Sequence, residues 1–257
     1  MMKHLPWWRR PYSAKRLLEI GPGHNPFAGV THLLERYVSD GHERCGNALL
    51  VPASARLIVG EATVLPFAKR AFDFVYASHV LEHVEDPVQA CREIMRVGAA
   101  GYIETPSPFL EQGLAIGDES SPEHWFHRWF VFSLGSNQLV FEPKLVEEVA
   151  RFCSCRDGQF IREFYAAVDF REAQHCFRRT AKTTIFFWKS SFQVEVRNRM
   201  TDCQQDKRPC RFSGMRHALV SSGNDLLRAG RVRRLTQSYP EVRAVFKKFG
   251  QYSLLVH

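Results

Sequence analysis

The sequence has no stretch approaching the ~20 uninterrupted apolar residues that a membrane helix requires, so no membrane span is expected. Its first ten residues, Met-Met-Lys-His-Leu-Pro-Trp-Trp-Arg-Arg, carry positive charge without the apolar core of a secretory leader, and a cytoplasmic protein is expected. None of the seven cysteines (Cys45, Cys91, Cys153, Cys155, Cys176, Cys203, Cys210) belongs to a C-x-x-C pair, and the Cys153-x-Cys155 spacing is too tight for a zinc knuckle. Reduced thiols, some filling the core, are the expectation. Internal repeats and low-complexity tracts are also missing. What remains is ordinary globular composition, 45% hydrophobic and 24% charged over 257 residues, enough for one sizeable α/β domain with a small appendage.

Charge is present but unevenly placed. Residues 1–170 hold 17 basic against 21 acidic side chains, and residues 171–257 hold 18 against 6, within a net charge of +8. A basic second half suits either a solvated face that aids solubility or a platform for an RNA partner.

From residue 16 to about residue 104, short apolar runs alternate with helical patterns. Leu17, Leu18 and Ile20 make a buried strand; residues 31–35, 57–60, 72–77 and 101–105 supply four more. Asp86, Pro87 and Gln89 form a helix start with a potential capping box, Val88, Cys91, Ile94 and Met95 share one face, and Gly98 stops the helix. This alternation predicts a doubly wound, mostly parallel sheet with ligands at the carboxyl ends of its strands. Residues 108–137 are aromatic-rich and without clear period, and suit a lid or acceptor-binding insertion, or simple core packing. Pro143 is expected to open a helix, and residues 184–188 and 192–196 to pair as an antiparallel hairpin. The expected division is a flap over residues 1–15, a main domain over 16–198 containing the insertion, and a basic, partly helical extension over 199–257 whose clearer helix begins at Pro240.

Glu19-Ile20-Gly21-Pro22-Gly23 runs a strand straight into a glycine turn, where missing side chains let backbone approach a ligand. A dinucleotide fingerprint would place a small residue three positions after Gly23, but Pro26 stands there. That departure and the short gap from Gly23 to Glu35 count against a nicotinamide-linked oxidoreductase. The gap also requires the first connecting helix to be abbreviated or replaced by a loop over residues 24–30. Glu35, ending the second strand, is placed to receive the two hydroxyls of a ribose, with Asp40 as its competitor. After the third strand, Glu61 can accept from an adenine amino group while the Ala62 backbone donates to the ring.

The ordered set Gly60-Glu61-Ala62, Leu65-Pro66-Phe67, Phe72-Asp73-Phe74-Val75 and Ser78-His79-Val80-Leu81-Glu82-His83-Val84-Glu85-Asp86-Pro87 resembles the class I S-adenosylmethionine (SAM)-dependent methyltransferases of the type 11 group. The resemblance implies a Rossmann-like seven-stranded sheet with an antiparallel final hairpin. It implies SAM as cofactor, contacted by Glu19, Gly21, Pro22, Gly23, Glu35, Glu61, Ala62, Ser78 and His79. Glu35 and Glu61 stand where many relatives carry aspartate. The expected reaction is methyl transfer to a small-molecule, glycan or lipid-linked acceptor; an RNA acceptor and a non-catalytic SAM-binding regulator are the alternatives.

Methyl transfer from a sulfonium needs a base only if the acceptor must lose a proton. His83 is the catalytic candidate, although the leucine-glutamate-histidine piece is scaffold in many relatives. A metal is not expected. The variant reading sets His79, Glu82 and His83 at i, i+3 and i+4 on a helical face with His127, and resembles metal-dependent RNA and quinone-ring O-methyltransferases, but with histidine as first ligand in place of glutamate.

Overall fold

Leu17–Ile20 (β1) is buried along its whole length, as a strand flanked by neighbours and covered on both faces must be. It pairs in parallel with His32–Glu35 (β2) on one side and Phe74–Ser78 (β4) on the other. Arg56–Val59 (β3) joins β2, and Ala100–Pro106 (β5) joins β4, both in parallel. With Thr183–Lys189 (β8) outside β5, the sheet runs β3-β2-β1-β4-β5-β8. The order reverses between β1 and β4, which leaves a crevice beyond their carboxyl ends. These positions belong to a computed structural model that describes residues 11, 13–39, 44, 46–108, 110, 111, 127–144, 163, 164, 167, 183–197 and 237–248.

The sheet is mixed α/β and Rossmann-like, as expected, but six strands are described, not seven. The final hairpin also differs. Ser190, just past β8, donates to the Ala99 carbonyl at 2.9 Å, just before β5, so β8 runs antiparallel to β5. Gln193–Val196 (β9), however, pairs in parallel with Gln138–Pro143 (β7) in a second sheet, ordered β6-β7-β9 with Trp129–Leu134 (β6). Two features separate β8 from β9. Ser190 takes a left-handed φ of 68°. The Trp188 ring packs over Gly98 and Gly101, where a Cβ would come within 3.0 and 2.7 Å of it, and this seats β8 on β5. Gly98 is therefore extended (φ −102°) and serves packing; it does not form a left-handed helix cap.

One face of the sheet buries Leu17, Leu33, Phe74, Tyr76 and Tyr102, with the Tyr76 and Tyr102 rings stacked at 5.1 Å. The anticipated replacement of a first helix occurs here. Residues 22–30 form turns, and Phe27 and Val30 close that face, with the Phe27 ring 4.7 Å from Tyr76. Each such apolar side chain removed from water contributes about 1.5–3 kcal/mol. Pro87–Val97 (α1) buries Ala90, Cys91, Ile94 and Val97. Asp86 caps it by accepting from the Gln89 N–H at 2.9 Å, but the box is only half formed, because the Gln89 amide donates instead to the Thr63 carbonyl.

The remaining elements depart further from expectation. Residues 129–134, read as irregular, are strand β6, and Pro143 ends β7 instead of opening a helix; residues 145–152 lie outside the described residues. Pro240–Lys248 (α2) forms as anticipated, with Val242 and Val245 buried. By compactness the chain falls into two units, residues 1–105, 133–141 and 185–197, and residues 106–132, 142–184 and 198–257. Most of residues 171–257, on which the RNA reading rests, lie outside the described residues. No described helix is long and apolar enough to cross a membrane.

Candidate functional site

A cleft of about 360 Å³ opens in the first unit at the carboxyl ends of β1, β2, β3 and β4. Gly21 and Gly23 form its floor with φ of 62° and 60°, a left-handed conformation that costs other residues about 1–2 kcal/mol. The Gly21 N–H donates to the Leu34 carbonyl at 2.9 Å, tying the turn to β2. A Cβ on Gly21 would come within 2.6 Å of the Val80 Cγ2, so the space it leaves is taken by Val80 and not by a ligand. The glycine turn and the turn after β4 are thus packed on each other.

Glu19 faces the sheet side. Fully buried, it accepts from the Phe27 N–H at 2.5 Å and pins the loop that replaces the first helix. Neither Glu19 nor Pro22 lines the cleft. Glu35 does, with its Oε1 accepting from the backbone N–H groups of Arg36 (2.9 Å) and Tyr37 (3.2 Å). Among the described residues nothing donates to its Oε2. Asp40 lies outside the described residues.

Glu61 and Ala62 also line the cleft, and α1 clamps the residues that follow them. Glu93 accepts from the Leu65 N–H at 2.8 Å, and Arg96 donates to the carbonyls of Phe67 and Leu65. The Arg96 guanidinium keeps the Glu93 carboxyl below the usual carboxylate range.

Three cleft residues were not legible from the sequence. Arg36 pairs through Nε with Glu61 Oε1 and lies over the Tyr37 ring, 4.8 Å from its centroid. Arg44, nearly buried, donates to the carbonyls of Tyr37, Val38 and Asn47 and holds the chain that follows β2. None of the three sits in a periodic or motif-bearing stretch. The only cue for Arg36 and Tyr37 was adjacency to Glu35.

After β4, residues 79–83 form a turn and not the helical face expected of the i, i+3, i+4 spacing. The turn nonetheless unites His79 and Glu82. His79 takes a left-handed φ of 58°, and its N–H donates to the Glu104 carbonyl at 2.8 Å. Its Nδ1 lies 3.2 Å from Glu82 Oε1 and its Nε2 3.7 Å from Glu104 Oε1; both carboxylates are 1% exposed and the imidazole 46%. Desolvation works against the imidazolium, but the Glu104 and Glu82 carboxylates outweigh it and push the pKa up to about 10. A pKa raised by folding stabilises the native state fully below about 6.5, and that contribution is lost as pH rises toward 10. Thermal melts from pH 6 to 10.5 should therefore show the wild type losing stability over this window relative to His79→Asn; parallel curves would refute the pairing.

Ser78 is buried at the end of β4, off the cleft, and its Oγ has no hydrogen-bond partner among the described residues. His83 does line the cleft, and its N–H donates to the Val80 carbonyl at 3.0 Å. His127 belongs to the second unit, where its Nδ1 is hydrogen-bonded to Glu111, which also pairs with the buried Lys144 at 2.6 Å. Burial alone would raise the Glu111 carboxyl, but His127 and Lys144 hold it low.

Residues 33–102 match the family described as a methyltransferase domain. An uncharacterized methyltransferase of Mycobacterium leprae is 30% identical over 120 residues, 45% of this chain and 45% of that protein, and its counterpart from a second strain matches equally. The chain thus spans a little under half the length of the curated relatives it matches. A Thermotoga maritima crystal structure titled as a SAM-dependent methyltransferase, possible histamine N-methyltransferase, is 22% identical, covering 45% of this chain and 56% of that one, with a TM-score of 0.36. The N-terminal domain of EvdMO1 with S-adenosylhomocysteine (SAH) bound is 20% identical, covering 37% and 44%, with a TM-score of 0.28.

Proposed function

We propose that the cleft binds SAM and that the chain is a class I methyltransferase transferring its methyl group to an acceptor, as the match of residues 33–102 to a methyltransferase domain supports. The carrying observation is Glu35. Its Oε1 is occupied by two backbone donors while Oε2 has none among the described residues, at the rim of a cleft floored by the Gly21-Pro22-Gly23 turn. With one carboxylate oxygen held in place, the two lone pairs of the other are left to accept from the hydroxyls of a ribose diol. SAM supplies an activated methyl on a sulfonium, so a lone pair forms the new bond to carbon while the carbon–sulfur pair returns to sulfur.

The chain's own work is to hold and to exclude. Gly21 and Gly23 seat the amino-acid end, Glu35 the ribose, and Glu61 with the Ala62 backbone the base. Where the acceptor has a proton to lose, His83 is the imidazole on this cleft to take it. His79, kept protonated between two carboxylates, is not. The acceptor proposed is a small molecule, glycan or lipid-linked precursor.

Titration calorimetry with SAM tests the donor, and labelled-methyl transfer into fractionated extract tests the activity and names the acceptor. Glu35→Gln should weaken SAM binding about ten- to hundredfold, the range for one charge-assisted hydrogen-bond site. Unchanged affinity in that variant would remove Glu35 from the site, and a wild type that binds no SAM would overturn the proposal.

A further inference from the structure

Glu61, proposed above to accept from the adenine amino group, is not alone at the nucleoside end of the cleft. Arg36 binds it through Nε, and both side chains line the cleft while about half exposed, at 53% for Arg36 and 41% for Glu61. Exposed ion pairs usually contribute little and wander, because two long side chains must give up rotamer freedom for a screened attraction. This pair is braced. Arg36 follows the anchored Glu35, whose Oε1 accepts from its backbone N–H, and its guanidinium lies 4.8 Å over the Tyr37 ring. The contact commits one guanidinium nitrogen and one carboxylate oxygen. Among the described residues neither the Arg36 Nη groups nor Glu61 Oε2 has another partner.

A guanidinium carries five N–H donors in one plane and a carboxylate accepts only. Joined at Nε and Oε1, they bring donors and an acceptor together on the cleft wall. Adenine displays the complement on its edge, an amino donor beside a ring-nitrogen acceptor. Hypoxanthine replaces that amino group with a carbonyl oxygen, which would face the Glu61 carboxylate acceptor to acceptor.

We propose that Arg36 and Glu61 act as one adenine-recognition element, Glu61 accepting from the exocyclic amine and Arg36 donating to N7 while N1 is left to the Ala62 N–H, and that Arg36 is thereby a specificity-determining residue for the cofactor. This rests on the SAM reading of the cleft. It also gives Glu61 a reason to be half exposed yet positioned, since Arg36 holds it from the side.

The test is calorimetric titration of the full chain with SAH and with S-inosylhomocysteine, for wild type, Arg36→Met, Arg36→Lys and Glu61→Gln, each checked by thermal melt. The wild type should prefer SAH by about tenfold or more, the cost of losing one charge-assisted hydrogen bond and facing acceptor to acceptor. Arg36→Met should weaken SAH about tenfold with an unchanged melting temperature, and Arg36→Lys, which keeps a donor, should recover part of the loss. Glu61→Gln, whose amide can donate to the hypoxanthine oxygen, should bring the two affinities to within about threefold. Wild-type affinity for SAH in Arg36→Met, or an undiminished preference in Glu61→Gln, would overturn the proposal while leaving the SAM reading intact. A wild type that binds neither ligand would instead remove the SAM reading itself.

Discussion

Gly101→Ala is expected to produce the largest loss of stability of any single methyl addition in the described sheet. Gly101 lies in β5 opposite Val75 of β4, and an added Cβ would overlap the Val75 carbonyl oxygen and come within 2.7 Å of Trp188 Nε1. The obstruction on one side is the backbone of an adjacent central strand, which cannot move without breaking its own ladder. On the other side is the indole that seats β8. Overpacking in a rigid core costs about 1–3 kcal/mol when side chains give way, and more when backbone must shift. We expect at least about 3 kcal/mol in chemical denaturation. Trp188→Ala should not rescue it, because the carbonyl contact remains. A Gly101→Ala variant within 1 kcal/mol of wild type, to take about the size of an ordinary surface effect, would show that β4 and β5 separate more easily than their register implies.

Gly21→Ala should act on both stability and cofactor affinity. The left-handed φ of 62° costs an alanine about 1–2 kcal/mol. The 2.6 Å approach to Val80 Cγ2 adds an overpacking term of about 1–3 kcal/mol. Here the obstruction is a side chain, so Gly21→Ala/Val80→Ala should recover the packing part and leave the conformational part. SAM affinity, read by calorimetry, should fall about thirtyfold or more in the single variant, since relieving the clash shifts either the turn or Val80, both of which line the cleft. Full recovery in the double variant would mean that backbone conformation at Gly21 is unimportant, contrary to the proposal that this turn is the seat of the amino-acid end.

The first five strands, their parallel sheet, α1 and its Asp86 cap were legible because each rests on local signals: apolar runs bounded by glycine and proline, and a capping residue three positions before its partner. The fate of the last two strands was not. Residues 184–188 and 192–196 look like a hairpin because they are close in sequence and both β-forming. Their true partners are set by Trp188 fitting onto Gly98 and Gly101 and by β9 finding β7, contacts that no short window contains. The site divides likewise. Gly21, Gly23, Glu35, Glu61 and His79 were placed by motif and do converge on one cleft. Glu19 was placed by motif too, but strand alternation turns it to the opposite side, onto Phe27. Arg36 and Arg44 carried no motif, because a solvated arginine and a braced one look alike in a polar stretch.

The loop over residues 22–30 has an electrostatic consequence. In a dinucleotide fold the glycine turn opens directly into a helix, whose macrodipole and unpaired N–H groups place roughly half a positive charge against the pyrophosphate. Here the turn leads into Phe27 and Val30 packed on a sheet face, so among the described residues no helix begins at Gly21 and Gly23. A doubly anionic phosphate bridge would gain no counter-field at this floor, whereas a ligand carrying a sulfonium would be spared a repulsive one. The loop leaves the floor of the cleft without the positive end of a helix macrodipole.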